Sequence, residues 1–343
     1  MKTILSIIAV SLTTAFIYGQ QEYQFSNSAF NPYLLNPAAG GLSDVMQFEV
    51  GSRMQWMGYT GGPMTIMASG NSQIKIGGGE SKVLSEFNVK DEKFFEGPET
   101  TIGKSKHVIG GKIWNDAIGP FAKTSFQGSY AYHLPLTKTM NFGVGLGLGM
   151  SHFRVDESRV VLYQQDDATY NQFLGNASQQ TMGDAQAGFV LYGEKLFFGI
   201  SGTQLLRNDI QLNDILTQSN LTRHLFVIAK YKLEINSDLH VEPLAILKST
   251  GNSPMSVDAG ARIISRNATW GGIQYRTGNM LVFQAGTNLI KNLYVNYSYD
   301  LSIGKIRAAG SNTHEIQIGY YLGRNRNVDK ELKENSKDDS PKL

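Results

Sequence analysis

The chain has 343 residues, with 31 Lys and Arg against 29 Asp and Glu, a balance that offers no polycationic surface to nucleic acid. It has no cysteine, which excludes disulfides, thiol catalysis, thiolate metal sites and a lipid-anchored cysteine. Beyond the N-terminus no apolar run reaches the roughly 18–20 residues that a membrane-spanning helix needs.

Lys2, followed by the apolar run 4–18 and Gly19, reads as a secretory signal peptide over residues 1–19. It places the mature protein outside the cytoplasm. Residues 20–43 form a segment of their own. Its two Asn-Pro steps, Asn31–Pro32 and Asn36–Pro37, favour turns and remove two backbone donors, so neither a regular helix nor a central strand fits. Phe25, Phe30, Tyr33, Leu34 and Leu35 still require burial, so the segment is expected to pack on or in the body that follows.

The stretch 46–56 sets the pattern of that body. Met46, Phe48, Val50, Met54 and Trp56 fall on one side of an extended strand, and Gln47, Glu49, Gly51, Arg53 and Gln55 on the other. Successive side chains of a strand point to opposite faces. Charge on one face excludes burial on both, and an aromatic at the strand's end suits a membrane–water boundary. A second strand, 64–76, alternates poorly, with Met67 on the wrong side. Residues 77–104 form a long polar insertion containing Phe87, Phe94 and Phe95. Strands 105–114 and 120–134 are expected to turn at Asn115–Asp116. In strand 140–155, Val144, Leu146, Leu148 and Met150 share one face and Gly143, Gly145, Gly147 and Gly149 the other. A glycine period of two without a following helix is no phosphate loop. It is a strand face that another backbone can approach, with the Asn-Pro segment as the candidate neighbour.

After a polar loop, 156–180, strands 181–192 and 196–206 turn at 193–195. A second loop, 207–220, with a helical turn around 212–216, precedes strands 221–233 and 239–248. Strand 255–263 directs Met255, Val257, Ala259, Ala261 and Ile263 outward and Ser256, Asp258 and Arg262 inward. Strands 269–276, 280–289, 293–303 and 313–322 complete the series, and 324–343 reads as a mobile charged tail. The expected fold is all-β: a transmembrane antiparallel β-barrel of about 14 strands over residues 44–323, with long outer loops and one long periplasmic insertion. An even strand count places both termini in the periplasm.

Several stretches resemble the PorP/SprF family. They are Gln24–Phe25–Ser26 with the Asn-Pro pair, Arg53 to Gly58 with Gly62, Pro63 and Thr65, Asn115–Asp116 with Gly119, and Ser129 to His133. Trp270 to Arg276, Tyr297 to Asp300 and His314 to Ile316 continue the series. The insertion 77–104 is the main departure. The resemblance implies an integral outer-membrane component of the type IX secretion system and its gliding machinery. It further implies secretion or surface attachment of a cargo protein, with contacts to other secretion components and to a periplasmic peptidoglycan-associated protein. A barrel of this size also encloses more space than its own side chains fill, so a general diffusion porin remains the alternative. An open lumen favours the porin; a lumen closed by the Asn-Pro segment or a loop favours the interaction component.

Neither enzyme chemistry nor a cofactor is expected. The six His residues are scattered and form no HExxH motif. Ser201 departs from a GxSxG context and reads as a wall residue. His152, Asp156 and His224 are the one set that a rim hydrolase could assemble. Asp156–Glu157 and Asp166–Asp167 read as solvated loop charge rather than a calcium site. Glu49, Arg53, Asp258 and Arg262 are expected to pair with groups on other strands across the lumen. Two sets of residues are candidates for partner binding. Trp56, Tyr59 and Pro63 lie in the first outer loop, where an interfacial aromatic belt is the simpler reading. Phe87, Phe94 and Phe95 lie in the insertion.

Overall fold

The computed structural model describes residues 25–74, 101–160, 179–206, 209–210, 219–220, 222–250, 254–265, 269–290, 292–304 and 312–322. Its strands are β1 (Met46–Met54), β2 (Met64–Ile74), β3 (Lys106–Ile118), β4 (Phe121–Pro135), β5 (Met140–Val155), β6 (Gln179–Gly193), β7 (Leu196–Thr203), β8 (Asp209–Ile210), β9 (Ser219–Asn220) and β10 (His224–Tyr231). They continue as β11 (Leu233–Asn236), β12 (Leu239–Ser249), β13 (Ser256–Ser265), β14 (Trp270–Arg276), β15 (Met280–Ile290), β16 (Leu293–Ser302) and β17 (Thr313–Leu322). β8 and β9 pair only with each other. The other strands form one antiparallel sheet that closes where β1 meets β17 and β10 meets β12. Fourteen of them make the ring, and β11 continues the line of β10 along the edge of β12. Closure pairs each of the fourteen ring strands on both sides, which membrane-spanning β-structure requires.

Alternation decides which side faces lipid. On β5, Leu146, Leu148 and Met150 are 61%, 70% and 58% exposed on the outer wall. On β13, Asp258 and Arg262 are buried inside while Ala259 and Ile263 are exposed outside. Arg or Lys on the lipid face near the midplane costs about 2–4 kcal/mol. Leu148→Arg should therefore lower the folded, heat-modifiable fraction in urea titrations, whereas a midpoint unchanged from wild type would contradict the outward assignment of this face.

Two local expectations are corrected and a third is explained. The β3–β4 turn lies at Gly119–Pro120 rather than Asn115–Asp116. Asn115 donates to Thr124 at 2.7 Å and Asp116 accepts from Thr65 at 2.5 Å, which makes both cross-strand partners. Gly119 supplies the positive φ of 55° at the turn. β1 ends at Met54, so Trp56 is no strand residue; it stands in the loop at φ 56°. Met67 does face inward, where Phe25, Leu34 and Trp114 pack around it. Its poor fit to a polar lumen face reflects an apolar neighbour inside the barrel. The helical turn expected at 212–216 lies outside the described residues.

Candidate functional site

The lumen is where the chemistry of this chain collects. Residues 26–29, 32–34 and 37–39 each make a short 3-10 turn, and nearly all of residues 25–41 are buried. Pro at the first position of the second and third turns suits a backbone without a donor there. Carbonyls left unpaired at the ends of such turns need donors, and the wall supplies them. Lys230 donates to Ala29 O at 3.0 Å, Lys112 to Leu34 O at 2.8 Å and Ser201 to Leu35 O at 2.7 Å. Asn36 accepts from Ala38 N at 2.9 Å and donates to the Phe189 and Ile200 carbonyls of β6 and β7.

From Ser26, at the level of Arg53, the segment descends toward the start of β1. At its upper end, the Ser26 hydroxyl donates to Asp300 (2.8 Å) and accepts from Arg53 (2.9 Å) and Arg276 (3.0 Å). The Ser26 and Asn27 amides donate to Glu315 at 2.7 and 3.0 Å. Around them run the ion pairs Arg53–Asp300 (2.8 Å), Arg53–Glu315 (3.0 Å), Arg276–Asp300 (2.9 Å), Arg276–Asp258 (3.0 Å) and Lys248–Asp258 (2.9 Å). Three cations meet three anions, all six nearly inaccessible. Buried charge is tolerable only when paired and hydrogen-bonded in this way. The charges run along neighbouring strands from β12 round to β1, not across the lumen as the sequence suggested; Ser26 and Asn27 bring the N-terminal segment, the plug of the lumen, into the network.

Lower down, Glu49 accepts from Asn31 (3.1 Å) and Tyr294 (2.7 Å), and Tyr33 bonds to Ser129 at 2.8 Å. Gly145 lies directly under the segment: a Cβ there would stand 2.3 Å from Ala38 N and 2.6 Å from Ala38 Cα. At the bottom, Asp44 meets Thr101, near the end of the 77–104 insertion, and Lys106 just beyond it. Burial pushes its carboxyl up, but hydrogen bonds from the Thr101 hydroxyl and amide and the charge of Lys106 outweigh this and hold the pKa below the usual range. A carboxylate lowered on folding contributes stability above its unfolded pKa and loses it as pH falls through the folded one. Acidification below the ordinary Asp range should therefore reduce hydrogen-exchange protection at the Thr101 amide; protection that does not change across that window would contradict the linkage.

The expected partner-binding residues divide. Trp56, Met57 and Tyr59 are each about half exposed (45%, 51% and 52%). Their loop is braced by Gln55 N to Pro63 O, Met57 N to Asn312 O and Gly119 N to Gly61 O. Pro63 itself is buried at the start of β2. Phe87, Phe94 and Phe95 lie outside the described residues. The rim set does not assemble: His152 is exposed and bonds to Thr181, while His224 is buried on the opposite face of its strand. No metal-ligating cluster occurs among the described residues. Sequence reasoning quoted Ser26, Arg276 and Glu315 only within the family-like stretches and gave them no role in an ion network, which the structure assigns to them.

Solved structures of similar shape include the P. putida toluene transporter TodX, at 10% identity over 88% of this chain and 95% of that one, TM-score 0.46. The CymD monoaromatic hydrocarbon channel gives 10% identity, 90% and 95% coverage and a TM-score of 0.48. Acinetobacter baumannii outer membrane protein Omp33 gives 8%, 82%, 99% and 0.46. Likenesses this distant carry no functional argument. No curated protein matches the chain. The family described as type IX secretion system membrane protein PorP/SprF matches residues 17–320, from before the plug to the last strand. An outer-membrane barrel matched over that span belongs to the PorP/SprF family of type IX secretion system membrane proteins.

Proposed function

We propose that this protein is a non-enzymatic component of the outer-membrane secretion apparatus that serves secretion or surface attachment of a specific cargo through protein–protein contacts. Family membership supports the setting. The single observation that carries the mode of action is the N-terminal segment: a lumen holding Phe25 to Gly41 on a buried ion network is unsuited to general diffusion. In this reading the short-turn end, with the start of β1 and the end of β17, faces the periplasm. The loop carrying Trp56, Tyr59 and Pro63 faces outward and docks cargo or a translocon partner. Trp56 supports that role, because a bulky residue at φ 56° is a costly conformation that tends to persist where function requires it. The insertion with Phe87, Phe94 and Phe95 reaches a peptidoglycan-associated partner.

The test is purification of the tagged protein from outer membranes in mild detergent, with identification of what accompanies it. Secretion components should co-purify, and cells lacking the protein should lose surface display of one cargo. Recovery of no secretion component, together with normal display in the deletion strain, overturns the proposal. Within that assay, Trp56→Ala with Tyr59→Ala should reduce cargo display and leave an assembled, heat-modifiable barrel. Unchanged display would remove the loop from the account.

A further inference from the structure

The segment leaves one part of the lumen empty. Between Phe30 and the short turns lies a cavity of about 910 Å3, lined by residues of β10 to β17 and of the turn Asn236 to Asp238. This is near the upper end of the range for ligand pockets. Its inner end is firm: Phe30 stacks on Trp270 at 5.6 Å, and the Arg262 guanidinium sits 5.1 Å from the Trp270 ring. Lys230, Lys232 and Arg262 are matched in number by Glu234, Asp238 and Glu242 on the same lining, with Arg262 paired to Glu242. A polyanion would meet three carboxylates there. A wholly apolar ligand would strip water from Lys232, Glu234 and Asp238, the exposed charges among the six, without replacing it. The lining fits a chain that is neutral overall and carries both donors and acceptors.

β11 adds the second observation. It forms part of the rim, pairs with β12 on one side, and stands at the end of the sheet order with no strand on its other side among the described residues. All four of its residues are exposed, Leu233 and Ile235 among them. Proteins usually cover or blunt such an edge, because its free N–H and C=O groups template another strand.

We infer that the vestibule receives an extended polypeptide segment of a second protein, which adds as a strand to the open edge of β11 and lowers an apolar side chain toward Phe30. The backbone of the incoming strand supplies the donor–acceptor ladder, and alternate side chains reach the cavity. This rests on the reading above that the protein acts through contacts and turns its short-turn end to the periplasm.

Site-specific p-benzoylphenylalanine at Ile235, and separately at Asn288 on the cavity wall, tests it in cells making the full-length chain. Both positions should cross-link to the same stretch of one other protein, mapped by mass spectrometry. His240→Trp, which fills the cavity, should lower the adduct yield at Ile235 about tenfold, the scale of losing a buried anchor, with heat-modifiability retained. Should that variant fail to assemble, Asn288→Trp with the probe at Ile235 serves instead. Adducts with lipid, with glycan, with this chain's own residues 323–343 or with unrelated segments overturn the inference, as does a yield unaffected by filling the cavity. If those outcomes occur while secretion components still co-purify, the vestibule is excluded and the broader proposal stands.

Discussion

Arg53→Met should unlock the lumen. The substitution leaves Glu315 buried with no cation within ion-pair distance among the described residues and removes one of the two cations on Asp300. Breaking a buried pair by removing one partner costs about 3–5 kcal/mol, because the surviving charge stays desolvated. The strands of the ring keep their backbone pairing, so the loss should fall on the seating of residues 25–41 rather than on closure of the barrel. Limited proteolysis of the purified protein in detergent reads this directly: cleavage near Phe25 should appear in the variant and not in wild type. A variant as resistant as wild type would show that the network is not what holds the segment.

Gly145→Val should displace the same segment from below. Its side chain would enter space held by the backbone of Ala38, which has no rotamer to change. Overpacking of this kind costs about 1–3 kcal/mol where neighbours can shift, and more where they cannot. Gly128→Ala is the control, since a Cβ there meets nothing within 4 Å. Loss of protection over residues 25–41 in the first variant and none in the second is the expected result in hydrogen exchange. Equal protection in both would mean the segment rests elsewhere on the wall.

The strands were legible because one face touches lipid and the other does not. Glu49 and Arg53 alternate with Phe48, Val50 and Met54, and that contrast survives in a single sequence. The glycine stripe of β5 was legible as a close approach but not in detail. Gly145 meets the plug, whereas Gly143 meets Val190 and His133, and Gly147 meets Gln186 and Gln127. The β3–β4 turn was misplaced because Asn115 and Asp116 are turn-type residues whose side chains here bridge strands. The ion network was not legible, for a physical reason. Arg53 and Asp300 are 247 residues apart and become neighbours only when β1 closes on β17. Ser26 carries no periodic signal, although it touches both arginines and Asp300.

The most direct measurement is ion conductance of the purified protein in a planar bilayer, beside Arg53→Met and Gly145→Val. The account predicts that wild type inserts without a steady conductance, and that the two variants show openings as the N-terminal segment leaves its seat. A steady open pore in wild type, of the same size as in the variants, would contradict it and return the protein to the diffusion porins.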